Sequence, residues 1–196
     1  MPDTQIMSAR RPVPTEASLH EAALRYLARF AATEAGLTRV LHARIARWAA
    51  EQGEDAEATA AQASAARALV GALVARLAAV GAVSDEAFAQ ARSRSLARAG
   101  RSRRAIAAHL AQRGVPDAVA ADALPAAVEA ELAAALIHAR KRRAGPFGPA
   151  HTTPESQRRV LASFARAGFS QDIAQRALRT PRDEADSLID RFRAQL

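Results

Sequence analysis

Arg92, Arg94, Arg98, Arg101, Arg103 and Arg104 crowd one short stretch of a 196-residue chain. Guanidinium groups stay charged at all physiological pH values and present donors in a fork that matches phosphate and carboxylate oxygens. The chemistry on offer is therefore anion binding. In a helix that runs through Ala99, Arg94 and Arg98 lie one turn apart on one face. Gly100 then lets the chain turn, and Arg101, Arg103 and Arg104 collect at the start of the next helix. Cations there oppose the helix dipole, and a nearby anion relieves them. A solvated arginine face is the competing reading, because Lys141 is the only lysine and genomic base composition accounts for such a bias as readily as selection does. A second cluster, Arg140, Lys141, Arg142 and Arg143, falls in the last turn of a predicted helix, where cations are stabilised without any ligand. Arg158, Arg159 and Arg166 form a third, weaker group.

Other chemistries find little support. His20 and Glu21 begin an H-E-x-x-H pattern, but Leu24 stands where the second histidine belongs, so that zinc geometry fails. His42, His109, His138 and His151 are isolated in sequence and read as surface or packing residues. Asp85 and Glu86 follow Ser84 at a helix start, where acids complement the dipole. The absence of cysteine removes thiolate metal sites, disulfides and cysteine nucleophiles. No glycine-rich phosphate loop and no G-x-S-x-G elbow is present. The expectation is no catalytic residue, no metal and no cofactor.

The elements that must position the arginines are helical. Apolar residues make up 49% of the chain, enough for a core, yet aromatics are only 4% and alanine dominates, which favours helices that approach closely. No stretch alternates like a strand. A net charge of +8 attracts polyanions through counterion release. No run of about 18 apolar residues is present to span a bilayer, and the N-terminus has no stretch of signal-peptide length. A cytoplasmic protein is expected.

Pro2, Pro12 and Pro14 mark residues 1–17 as a flexible arm. Ser18 and Glu21 have capping-box spacing and place the first helix start at Ser18. Leu24, Leu27 and Ala31 give its apolar stripe; Thr33 caps a second helix carrying Leu37, Leu41, Ile45 and Trp48. Residues 51–62 read as a solvated connection or a frayed helical extension. Leu69, Val70, Leu73, Val74, Leu77 and Val80 form the next stripe, stopped by Gly81. Trp48 and Tyr26 lie on apolar stripes as core residues.

A repeat then emerges. Ile106, Leu110, Gly114, Val119 and Leu124 have the same mutual spacings as Val160, Phe164, Gly168, Ile173 and Leu178, each set encoding a helix, a glycine stop and a shorter helix. Leu37 and Leu41 match the start of this unit, with Ile45 where the glycine would stand. Pro125 opens a helix through Leu132, Leu136 and Ile137, and Thr153–Pro154 and Thr180–Pro181 each read as a cap followed by proline at the first helical position. Repetition of a helix-turn-helix unit predicts an all-α, elongated array of three tandem three-helix repeats. Repeat one spans 18–81 with the acidic connection near 51–62, repeat two 82–125, and repeat three 126–180 with a Gly/Pro loop at 144–154. A C-terminal helix fills 181–196.

These residues resemble the RecX family of regulatory proteins. The densest match is GAVSDEAFAQARSRSLARAGRSRRAIAAHLAQRGVP, from Gly81 to Pro116, with Asp85, Phe88–Ala89, Gly100, Ile106, Leu110 and Gly114 at family spacing. AALRYLARFAATEAGLTRVL and the segment from Ala165 to Leu178 match in the outer repeats, so the likeness covers roughly residues 20–180. The chain departs from the family pattern at Phe30, where arginine is usual, at Ser84–Asp85, where an acidic pair is usual, and at Ser102, where a second glycine is usual. The last departure bears on the turn between the first two helices of repeat two. The resemblance implies a non-catalytic regulator in DNA repair, recombination and the SOS response that binds the RecA filament and inhibits strand exchange or ATP hydrolysis. Its implied partners are RecA and the single-stranded DNA within the filament, with weak direct DNA binding, no membrane and a monomeric state. The alternative from the residues is a stand-alone helical DNA-binding protein, transcriptional in role, with groove-reading arginines.

Overall fold

A computed structural model describes residues 12–52, 55–149 and 153–195. Residues 1–11, most of the expected arm, and His151 lie outside the described set. Ten α-helices, and no strand, are found among the described residues. They form two compact units that divide between Ser84 and Asp85.

The first unit holds α1 (Glu16–Leu27), α2 (Glu34–Ala50) and α3 (Ala56–Ala79), which pack on one another. Helix α1 starts two residues before the expected Ser18. Thr15, extended after Pro14, accepts from the Ser18 amide at 3.3 Å, and Ser18 Oγ accepts from the Thr15 amide at 3.0 Å. Serine thus completes the reciprocal cap that Glu21 was expected to make. The buried stripe is also shifted: Leu19 and Ala23 are buried, whereas Leu24 is 44% exposed. Thr33 caps α2 as expected, its Oγ accepting from the Gly36 amide at 2.9 Å, and Leu37, Leu41, Ile45 and Trp48 are buried beneath it. Tyr26 is only partly buried and stacks on the exposed Phe30 at 5.1 Å between ring centroids.

Helix α3 begins at Ala56, capped by Asp55, so residues 56–62 follow the second of the two readings, a helical extension. It is long and apolar enough by composition to cross a membrane. Its Ala63, Ala66, Val70, Leu73, Val74 and Leu77 instead form the core of this unit, while Leu69 and Val80 from the expected stripe are exposed. Each large core side chain contributes about 1.5–3 kcal/mol through burial.

The second unit holds α4 (Asp85–Arg98), α5 (Arg103–Arg113), α6 (Asp117–Ala123), α7 (Val128–Arg142), α8 (Pro154–Arg166), α9 (Gln171–Arg179) and α10 (Arg182–Ala194). Helices α4, α5 and α6 pack mutually, α7 packs against α8 and α9, and α10 lies on α7. Alanine explains why α7 is the central helix. Ala133, Ala134, Ala135 and Ala139 let neighbours approach on several sides, while Leu132, Leu136 and Ile137 fill the gaps. Helix α7 opens at Val128, three residues after Pro125, with the extended Ala127 as its N-cap. Thr153 caps α8 as expected, but Thr180 ends α9 and Pro181 precedes α10 without a side-chain cap.

Five helix stops share one geometry. After Gly81, Gly100, Gly114 and Gly168 the next amide bonds back five residues, as in Ala82 to Leu77 and Arg101 to Leu96. These are Schellman closures, which need a left-handed residue. Arg143 performs the same turn with φ +49°, and Ala144 bonds back to Ala139.

Candidate functional site

The close approach of α7 to the turn after α4 builds the site. Gly100 has φ +73°, and a Cβ there would lie 2.6 Å from Ile137 Cγ2 and 3.1 Å from the Ala134 carbonyl oxygen. Only glycine permits that contact. It sets Arg101 beside the end of α7, where Lys141 donates from Nζ to the Ala99 carbonyl at 2.7 Å. A lysine over the carbonyl end of α4 is favoured by the helix dipole.

A second tie brings up α8. Ser102, fully buried, caps α5 by accepting from the Ala105 amide at 3.1 Å and donates to the Ala167 carbonyl at 2.6 Å. Gly168 allows this, since a Cβ there would meet Ser102 Oγ at 2.7 Å. Serine at this position therefore joins the α5 start to the end of α8, which a glycine could not do.

Between these ends lies a cavity of about 630 Å³ lined by Arg101, His138, Lys141, Arg142, Ser163 and Arg166, with apolar walls from Leu96 and Ala167. Among the described residues no carboxylate lines it. His138 is half-buried and stacks edge-on to Phe164 at 4.8 Å between centroids. Ser163 donates its hydroxyl hydrogen to the Val160 carbonyl at 2.7 Å, so across the 3.4 Å contact His138 Nε2 carries the hydrogen. Burial first, then Arg142, Lys141 and Arg101, hold the His138 pKa below its ordinary value.

The remaining sequence candidates divide by what they touch. Arg92 donates from Nε to His109 Nε2 at 2.9 Å, which requires a neutral imidazole; burial, then Arg92, Arg113 and Arg101 lower that histidine's pKa. The Arg103 side chain donates to the Pro125 carbonyl, and its amide donates to Glu131 Oε2 at 2.8 Å. Glu131 is thus the anion expected at the crowded start of α5, supplied by α7 of the same chain. Burial raises the Glu131 pKa, against the lowering effect of that amide bond and of the Arg103 charge. Arg140 pairs with Asp186 and lies over the Phe147 ring at 4.8 Å. Arg159 pairs with Glu155 one turn away. Arg94, Arg98 and Arg104 are exposed, with no acidic partner among the described residues, and Arg143 is exposed at the αL turn.

The structure thus brings Arg101, Lys141 and Arg142 to one cavity and leaves Arg92, Arg103 and Arg140 in structural contacts. His138, read from the sequence as a surface or packing residue, and Arg166, named only in the third and weaker arginine group, also belong to the cavity. Two signals pointed to them: His138, Lys141 and Arg142 have i, i+3, i+4 spacing, and the string Ala-Arg-Ala-Gly occurs at both 97–100 and 165–168. Among the described residues no group of histidine, aspartate and glutamate could hold a metal ion.

Comparison with known proteins places this geometry in context. A family profile described as "RecX, second three-helix domain" matches residues 84–124, the segment of α4, α5 and α6. The regulatory protein RecX of Myxococcus xanthus (strain DK1622) is 43% identical over 167 residues, covering 82% of this chain and 83% of that protein. The crystal structure of RecX from Lactobacillus salivarius shares the fold, with a TM-score of 0.58 over 90% of this chain and 96% of that one at 18% identity.

Proposed function

Because the chain belongs to the RecX family of regulatory proteins, we propose that it binds the RecA nucleoprotein filament and inhibits its recombinase and ATPase activities. It acts in the cytoplasm, without catalysis and as a monomer. The observation that carries this reading is the convergence of Arg101, Lys141, Arg142 and Arg166 on a cavity that no carboxylate lines among the described residues. The exposed Arg94, Arg98 and Arg104 extend the positive surface toward a polyanion. A filament offers DNA phosphates and acidic protein groups together, so cations in several places prolong residence on it. A body held across filament subunits hinders the rearrangement that hydrolysis needs or bars the incoming duplex.

The test is co-sedimentation of the purified protein with RecA assembled on single-stranded DNA, compared with DNA alone and RecA alone, while ATP hydrolysis is followed. Sedimentation chiefly with the filament, together with slowed hydrolysis, is the expected result. Equal binding to naked duplex with sequence preference, and no effect on hydrolysis, would move the protein to the class of stand-alone DNA-binding proteins.

A further inference from the structure

We propose that the cavity between the ends of α4, α7 and α8 is a seat for a single phosphodiester group of a nucleic-acid backbone, held by Arg101, Lys141, Arg142 and Arg166 and coupled to protonation of His138. The assignment rests on the regulator reading only in taking nucleic acid, rather than protein, as the polyanion at this cavity.

Electrostatics decides whether an anion is welcome there. Helices α4, α7 and α8 all end at the cavity, and each C-terminus carries about half a negative charge. Three such ends oppose an anion with roughly one and a half charges. Four cations outweigh them, even with Lys141 occupied by the Ala99 carbonyl. The surplus remains on Arg101, Arg142 and Arg166, which line the cavity and are exposed.

Size and donor number favour a phosphodiester over an acidic side chain. At about 630 Å³ the recess falls in the range of roughly 300–1,000 Å³ typical of small-molecule sites, large enough for a nucleotide unit. A carboxylate offers two oxygens with about four acceptor sites, whereas a phosphodiester adds two ester oxygens to its two charged ones and spreads its acceptors over a tetrahedron. Phe164 and Phe169 are buried beneath His138 and leave no aromatic face for a base. The seat therefore reads backbone and not sequence.

The imidazole makes the seat respond to pH. The groups facing His138 are Arg101 from the α4–α5 turn, Lys141 and Arg142 from its own helix, and Ser163 and Arg166 from α8. Cations on three sides oppose its protonation. A bound phosphate weakens that field, so binding favours uptake of a proton and affinity rises as pH falls.

The experiment measures fluorescence anisotropy of a labelled oligothymidylate, and of a duplex of equal length, across a salt series. The wild type is compared with R142A/R166A, and circular dichroism confirms folding. Loss of one seated phosphate makes the log K against log salt slope shallower by about 0.7 for the single strand or about 0.9 for the duplex. The arm that changes identifies the source of the phosphate. Between roughly pH 7.5 and 5.5, where the backbone does not titrate and histidine does, wild-type affinity rises by up to about tenfold per pH unit. H138Q abolishes this rise and H109Q retains it.

Should the double variant fail to fold, the His138 ring resonances of the wild type, followed by NMR, shift on adding the oligothymidylate. Unmoved resonances, or an unchanged slope together with a pH response that survives H138Q, overturn the assignment. If R142A/R166A leaves the oligonucleotide slope intact yet abolishes sedimentation with the filament, the cavity takes an acidic protein group; the phosphodiester assignment falls and the regulator reading stands. If the wild type never sediments with the filament while the slope and pH effects appear, the regulator reading falls and the seat stands.

Discussion

Alanine in place of Gly100 tests the contact on which the cavity depends. Two costs combine. The residue sits at φ +73°, and a side chain in the left-handed region costs about 1–2 kcal/mol. The added methyl would also lie 2.6 Å from Ile137 Cγ2, 2.8 Å from its Cβ and 3.1 Å from the Ala134 carbonyl oxygen. Ile137 is buried, so it has nowhere to rotate, and α7 must shift. Overpacking of this kind costs about 1–3 kcal/mol more. Gly81 supplies the control. Its φ is +72°, but nothing lies within 4 Å of its Cβ position, so alanine there meets the backbone cost alone. In urea denaturation followed by circular dichroism, G100A should exceed G81A in destabilisation by about 1–3 kcal/mol. Equal losses would refute the close approach of α7 to the turn and, with it, the cavity geometry.

Gly71, exposed in the interior of α3 with nothing within 4 Å of its Cβ position and no positive φ, should tolerate alanine. G71A is expected to stabilise the protein by about 0.5–1 kcal/mol in the same assay. Removing the carboxylate at the start of α5 with E131A should cost about 0.5–2 kcal/mol, as loss of a helix cap does, and E131Q, which keeps an acceptor for the Arg103 amide, should cost less. Because the Glu131 pKa is raised, the native state holds that proton more tightly than the unfolded chain. Its contribution is full in acid and declines as pH rises through the folded value, so E131Q should flatten that part of the stability profile. A steeper decline in E131Q would show that the sign is wrong.

The sequence by itself determined the features that local physics controls. Alanine and leucine at helical spacing leave no strand alternative, and the glycine stops were legible because a Schellman closure demands a residue that accepts positive φ. The likeness of 106–124 to 160–178 in spacing likewise reappears as helix, glycine turn, shorter helix in α5–α6 and α8–α9. Local signals failed where two of them competed within one turn. Thr15 and Ser18 both qualify as caps, and the choice between Ala23 and Leu24 as the buried position in α1 depends on where α2 and α3 lie.

Tertiary structure alone decided which cations share a site. Arg101 and Arg166 are far apart in sequence, and they meet at one cavity because α7 packs against Gly100 and Ser102 bonds to Ala167. The same packing withdrew Arg92, Arg103 and Arg140 into contacts with His109, Pro125 and Asp186. It also placed Glu131 at the α5 start, so the anion that the crowded arginines demanded came from within the chain. Charge in a sequence fixes the sign of the partner, but the long-range approach of helices determines which charges remain to meet it.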